Sequence, residues 1–151
     1  MGKELKVAAL KNGTVIDHIP ADKLFQVVSI LHLDKTLNQI TLANNLDSAK
    51  IGSKGLIKIS ERALEEDETN KIALICPNAK INIIRDFIVV EKRALILPEE
   101  IREIVQCTNP VCITNNQPVT TRFHVQNQNG QIVLKCHYCE REVVQEKVKI
   151  K

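Results

Sequence analysis

The sequence predicts an α+β protein in two parts, a split βαβ sheet covered by two helices over residues 1–97 and a small β-rich module over residues 98–151. Three observations carry this reading. The first part alternates between strand and helix patterns in the order strand, helix, strand, strand, helix, strand, strand. Pro98 followed by Glu99-Glu100 interrupts that pattern, and beyond it the cysteines gather in two pairs around a hairpin signal.

The elements follow in chain order. Residues 3–10 read as a strand that ends at the turn-forming Lys11-Asn12-Gly13, and residues 14–19 run extended to Pro20. Leu24, Val27, Val28 and Leu31 then fall at i, i+3, i+4 and i+7, which lines one face of a helix over 21–33 with Phe25 at its flank. Residues 39–46 and 55–59 read as strands around a polar loop over 47–54. A second helix starts at Arg62 or Glu66 and ends at Leu74, and the run Glu65-Glu66-Asp67-Glu68 suits the positive end of its dipole. Residues 80–84 and 87–92 form a closing hairpin around Arg85-Asp86. Pro98-Glu99-Glu100 signals a helix start, and Ile101, Ile104 and Val105 give that short helix one apolar side. Residues 120–125 and 131–135 flank Asn129-Gly130, a strong hairpin signal.

Composition narrows the function classes. An apolar fraction of 44% and a charged fraction of 26% suit a globular chain. Only Phe25, Phe87, Phe123 and Tyr138 are aromatic, so no platform for stacking bases is evident. The net charge of +3 is spread evenly over both parts, without the dense basic patch that drives nucleic-acid affinity. No stretch resembles a signal peptide or a membrane span, which predicts a cytoplasmic protein with reduced thiols. Glycine-rich phosphate loops, HExxH and GxSxG are missing. Asp17-His18 has no nucleophile beside it in sequence and reads as a binding or structural pair.

The cysteines carry the strongest chemical signal. Cys107-x4-Cys112, 23 residues, then Cys136-x2-Cys139 supplies two edges of a tetrahedron, which the intervening hairpin brings together. Four soft ligands predict one structural Zn2+ in a zinc-ribbon-like module, with no open position for catalysis. Two disulfides or four unpaired core thiols are the alternatives, disfavoured in a reducing compartment. His137 inside the second knuckle points away from the metal, Cys76 is an ordinary buried thiol, and Lys135 and Arg141 either offset the site's charge or are solvated. In the first part, Lys58 and Lys92 stand out as cations in apolar strands, and on adjoining strands they could jointly clamp a polyphosphate.

Several of these residues recur together in a known family. Gly13-Thr-Val-Ile-Asp-His-Ile-Pro20, Leu56-Ile-Lys-Ile59, Asn82 with Val89 and Lys92, and the four cysteines in their Lys-Cys-His-Tyr-Cys-Glu context give the resemblance. Over nearly its whole length the chain resembles the regulatory chain of aspartate carbamoyltransferase, an enzyme of pyrimidine synthesis. The resemblance implies a ferredoxin-like nucleotide-binding domain, a zinc domain that docks on the catalytic chain, pairing of two regulatory chains through their N-terminal domains, and no chemistry of the chain's own. It further implies that CTP inhibits and ATP activates by competing for one site, with UTP reinforcing CTP. Carried over, the base lies against the backbone at Val7, Leu10, Phe87 and Val89, the ribose near Asp17, Lys58 and Asn82, and the phosphates near His18 and Lys92. The rival class is a nucleic-acid-binding zinc ribbon, against which the even charge and scarce aromatics argue.

Overall fold

Alternating burial and one bulge shape the central strand, β1 (Gly13–Pro20). Thr14 and Ile16 face inward at a spacing of two, whereas Ile19 reaches the core only because the pairing shifts between Ile16 and Ile19, with His18 at a φ of +60°. The structure is a computed structural model that describes residues 9–151. The expected strand over residues 3–10 lies almost entirely outside the described residues, as does Val7, and Ala9 and Leu10 carry no strand.

The helix expected over 21–33 is shorter. A 3-10 turn after Pro20 leads into α1 (Leu24–Ile30), which stops as His32 takes a left-handed φ of +53°. A second 3-10 turn then returns Leu33 to the core. Phe25, beside the buried stripe, is exposed. β2 (Ile40–Ser48) and β3 (Gly52–Ser60) are longer than expected and reduce the polar loop to a tight turn. α2 (Glu66–Ile75) begins at a capping box in which the Glu65 N–H donates to Glu68 Oε1 at 3.0 Å. β4 (Lys80–Arg85) and β5 (Ile88–Ala94) close the unit through Asp86 and Phe87, both at positive φ, as a type I′ hairpin turn requires.

These strands form one antiparallel sheet in the order β2-β3-β1-β4-β5. The first four make the split βαβ arrangement, and β5 adds an edge. Ile16, Ile57, Ile59 and Ile81 pack against Leu24, Val27 and Ile72 of the helices, so the core lies on one face, and among the described residues no helix covers the other, open face.

The chain divides into Met1–Leu95 and Ile96–Lys151. The second unit contradicts one expectation: residues 100–102 are not helical but form β6 (Glu100–Arg102), paired with Arg122 to His124. Glu103 at a φ of +66° would interrupt any helix there. β7 (Val105–Gln106) pairs with the terminal β11 (Lys149–Ile150), and the Lys151 N–H reaches the Ile104 carbonyl at 2.8 Å. Between them lie α3 (Ile113–Asn116), β8 (Arg122–Gln128), β9 (Gln131–Cys136) and β10 (Glu142–Val144). The four-stranded sheet runs β10-β9-β8-β6, and β8 and β9 turn at Asn129-Gly130 as expected.

Candidate metal centre and effector face

Each cysteine pair sits on a short braced loop. Cys107 follows β7, and Cys112 precedes the single turn of α3. Asn115 Nδ2 donates to the carbonyls of Cys107 and Asn109 at 2.9 and 2.8 Å, while Asn116 Nδ2 donates to those of Pro110 and Cys112 at 3.0 and 2.8 Å. The second loop leaves the end of β9. There the Cys136 N–H donates to the Arg141 carbonyl and the Glu140 N–H to the Cys136 carbonyl, both at 3.0 Å.

The two loops converge. Cys107, Cys112, Cys136 and Cys139 place their Sγ atoms within 4.8 Å of one another, with Cys107 to Cys139 at 3.6 Å and Cys112 to Cys136 at 3.8 Å. Those contacts are too long for a disulfide, whose S–S distance is ~2.0 Å. They match the edge of a tetrahedron of sulfurs about 2.3 Å from a central ion, ~3.8 Å. Burial pushes the Cys107 thiol up to about 12 and the Cys136 thiol upward, whereas at Cys139 hydrogen bonds from Arg141 and Asn109 outweigh burial and bring it to about 7. A buried set of this kind is held as thiolates by a bound cation. Thr114 Oγ1 lies 3.2 Å from Cys112 Sγ. His137 takes no part, since its Nδ1 shares a hydrogen bond of 3.0 Å with His124 Nε2. Cys76 is buried in the first unit with its thiol raised to about 12 by burial. Arg141 bonds the Thr108 carbonyl at 3.3 Å, which ties the two knuckles together.

In the first unit the strand register decides which side chains meet. Thr41, Lys58, Val15, Asn82 and Lys92 are successive cross-strand partners on β2, β3, β1, β4 and β5, and so form one row on the open face. The split topology corrects one expectation: Lys58 and Lys92 are not on adjoining strands. β1 and β4 lie between them, so their backbones stand about 14 Å apart, three inter-strand spacings. They can hold two ends of one ligand instead of one phosphate chain. Burial holds the Lys58 ammonium below its ordinary range.

Two flanks complete this face. At the Gly13 end, Leu10, Lys58 and Phe87 line a hollow of about 250 Å³ together with Ala9, Lys11, Gln39, Thr41 and Ser60. The Phe87 N–H donates to the Lys11 carbonyl at 2.9 Å, which fixes the exposed ring at that rim. Val89, on the edge strand, is also exposed. At the other end the β1 bulge presents Asp17 and His18. Asp17 Oδ1 accepts the His18 N–H at 2.6 Å and an ion pair from Lys54 at 2.9 Å, while His18 Nδ1 lies 3.5 Å from Asp17 Oδ2. The pair thus brackets this end of the face. Sequence reasoning missed Gln39 and Thr41 and read Lys54 as part of a turn, because only the strand register brings them to this face. Alternation within β2 and β3 is the one signal that could have pointed to them.

Comparison with known proteins addresses both units. The family description "Aspartate carbamoyltransferase regulatory chain, allosteric domain" matches residues 5–96, and "Aspartate carbamoyltransferase regulatory chain, metal binding domain" matches residues 99–149. A protein named aspartate carbamoyltransferase regulatory chain from Parabacteroides distasonis is 55% identical over 99% of this chain and 96% of its own. One of the same name from Phocaeicola vulgatus is 54% identical over 97% and 94%, and one from Pyrococcus abyssi is 50% identical over 96% of each.

Proposed function

Because the chain belongs to the family of aspartate carbamoyltransferase regulatory chains, non-catalytic subunits with an allosteric and a metal-binding domain, we propose that its open sheet face binds CTP and ATP and that its four-cysteine module, loaded with Zn2+, docks on the catalytic chain. The row Lys58-Asn82-Lys92 beside the Leu10-Phe87 hollow carries the effector reading. A base in the hollow meets strand-edge N–H and C=O groups, which distinguish an amino from a keto edge. Ribose then falls near Asp17, Lys58 and Asn82, and the phosphates near His18 and Lys92. CTP and ATP compete for this face, and UTP acts with CTP. Either nucleotide shifts the holoenzyme only as far as its affinities for two quaternary states differ. Two regulatory chains pair through their allosteric domains, and the assembly works in the cytoplasm. Among the described residues no helix is long and apolar enough to cross a membrane.

In the metal module Cys107, Cys112, Cys136 and Cys139 would hold the ion. Zinc with four thiolates is a closed structural site, and it supplies folding energy to a unit with little core of its own.

Calorimetry on the purified chain tests the effector site. Lys58→Ala and Lys92→Ala should each weaken CTP and ATP alike by about 1.5–3 kcal/mol, since a charge-assisted contact is lost whatever base is attached. Unchanged affinity in both variants would place the nucleotide elsewhere.

A further inference from the structure

We propose that Thr114, Asn115 and Asn116 are positioning residues of the metal centre, a side-chain latch on the first knuckle that sets how slowly the bound ion is released; the inference rests on reading the four cysteines as a loaded metal site. Within the loop from Cys107 to Cys112 the main chain supplies a bond from the Cys112 N–H to the Asn109 carbonyl, at 3.1 Å. Two side chains supply four more. Asn115 Nδ2 spans the carbonyls of Cys107 and Asn109 at 2.9 and 2.8 Å, and Asn116 Nδ2 spans those of Pro110 and Cys112 at 3.0 and 2.8 Å. Each amide thus ties a ligand-bearing residue to the loop between the ligands. The second knuckle, by contrast, closes through its own main chain, from Cys136 to Arg141 and from Glu140 to Cys136.

Release requires the thiolates to part from the ion one at a time. A knuckle that keeps its shape returns a parted thiolate before the next one goes, because its ordering entropy is already spent. The asparagines bond carbonyls and so act through the shape of the loop. Thr114 acts on a ligand atom: its Oγ1 lies 3.2 Å from Cys112 Sγ, and since a thiolate only accepts, the hydroxyl donates in the loaded site. Four thiolates around one dication leave an excess of negative charge, which a donor so placed offsets.

The test follows transfer of Zn2+ from the loaded full-length chain to an excess of a metallochromic chelator. Asn115→Ala and Asn116→Ala should each speed release about fivefold or more, as two hydrogen bonds are lost in each. Thr114→Val should speed it about threefold, and Thr114→Ser, which keeps the hydroxyl, should stay within about twofold of the unaltered chain. Both asparagines are exposed, so their replacement leaves the buried core intact. Gly130→Ala strains the hairpin tip at a φ of +86°, about 20 Å of strand from Cys136, and should release metal within about twofold of the unaltered chain. Every variant loaded with Co2+ should show the absorption of a tetrahedral thiolate site, as all four ligands remain. Release from both asparagine variants at the unaltered rate would refute the latch. So would equal acceleration by Gly130→Ala, which would make unfolding of the module the controlling step, or loss of the tetrahedral Co2+ spectrum in a variant, which would make the residue a requirement for the site and not for its retention. If the unaltered chain takes up no metal, the metal reading falls and the latch with it.

Discussion

Gly13 begins β1 at a φ of +143°, and a Cβ added there would lie 2.0 Å from the Ile59 carbonyl oxygen. Backbone geometry and close approach both demand glycine, which explains why the Gly13–Pro20 motif starts with one. Gly13→Ala should destabilise the first unit by about 2–4 kcal/mol, because β1 must part from β3. Urea unfolding reads this, and a loss under about 0.5 kcal/mol would be inconsistent with the packing described. Glu100 is the corresponding charge on β6. Its Oε1 accepts from Arg122 Nε at 2.8 Å and from Arg102 Nε at 2.6 Å, and Arg122 first, then Arg102, hold its carboxyl at about 2. A depressed carboxyl contributes stability above its unfolded value of ~4.3 and loses it as the pH falls toward about 2. The gap in thermal midpoint between the native chain and Glu100→Gln should therefore be complete at pH near 6 and shrink below ~4. Acid loss of metal affects both proteins and cancels in the difference. A gap independent of pH would contradict this account.

Among the elements, α2 depends most on local chemistry. Its capping box satisfies two N-terminal donors, and Glu68 also pairs with Arg62. Glu68→Ala should cost about 1 kcal/mol, whereas Glu66→Ala, which takes no part in the box, should cost only a few tenths. Chemical denaturation separates the two, and equal losses would show that the acidic run acts only through the helix dipole. This helix was legible in the sequence because capping and periodicity are local. So were the Asn129-Gly130 turn, whose type needs positive φ at both residues, and the cysteine knuckles, whose spacing is their geometry. Residues 100–105 misled for the opposite reason. Ile101, Ile104 and Val105 fit a helical period, but Glu100 to Arg102 pair with a strand some twenty residues away, and a long-range ladder outweighs a short apolar pattern. The effector face was legible as a set of residues and not as an arrangement. Lys58 and Lys92 stand out in sequence, yet only the strand order β3-β1-β4-β5 shows that they stand three strands apart and not on adjoining strands.

At the scale of the whole chain, chemistry divides where composition does. The allosteric-domain match covers residues 5–96 and the metal-binding match residues 99–149. Every proposed nucleotide contact lies before Pro98 and every metal ligand after it. The first unit closes on its own aliphatic core of sheet and helices. The second has a smaller core, in which Ile101, Ile104, Val105, Phe123, Val133 and Leu134 are buried, so a structural metal, contributing on the order of 10–16 kcal/mol, dominates its stability. Effector binding and docking should accordingly be separable. The decisive measurement is to strip the metal with a thiol-reactive mercurial, then follow CTP binding by calorimetry and assembly with the catalytic chain by sedimentation. The account predicts that CTP affinity survives within about threefold while assembly is abolished, because the metal holds only the second unit together. Joint loss of CTP binding and assembly would contradict the division of labour, and intact assembly without metal would contradict the metal module as the docking element.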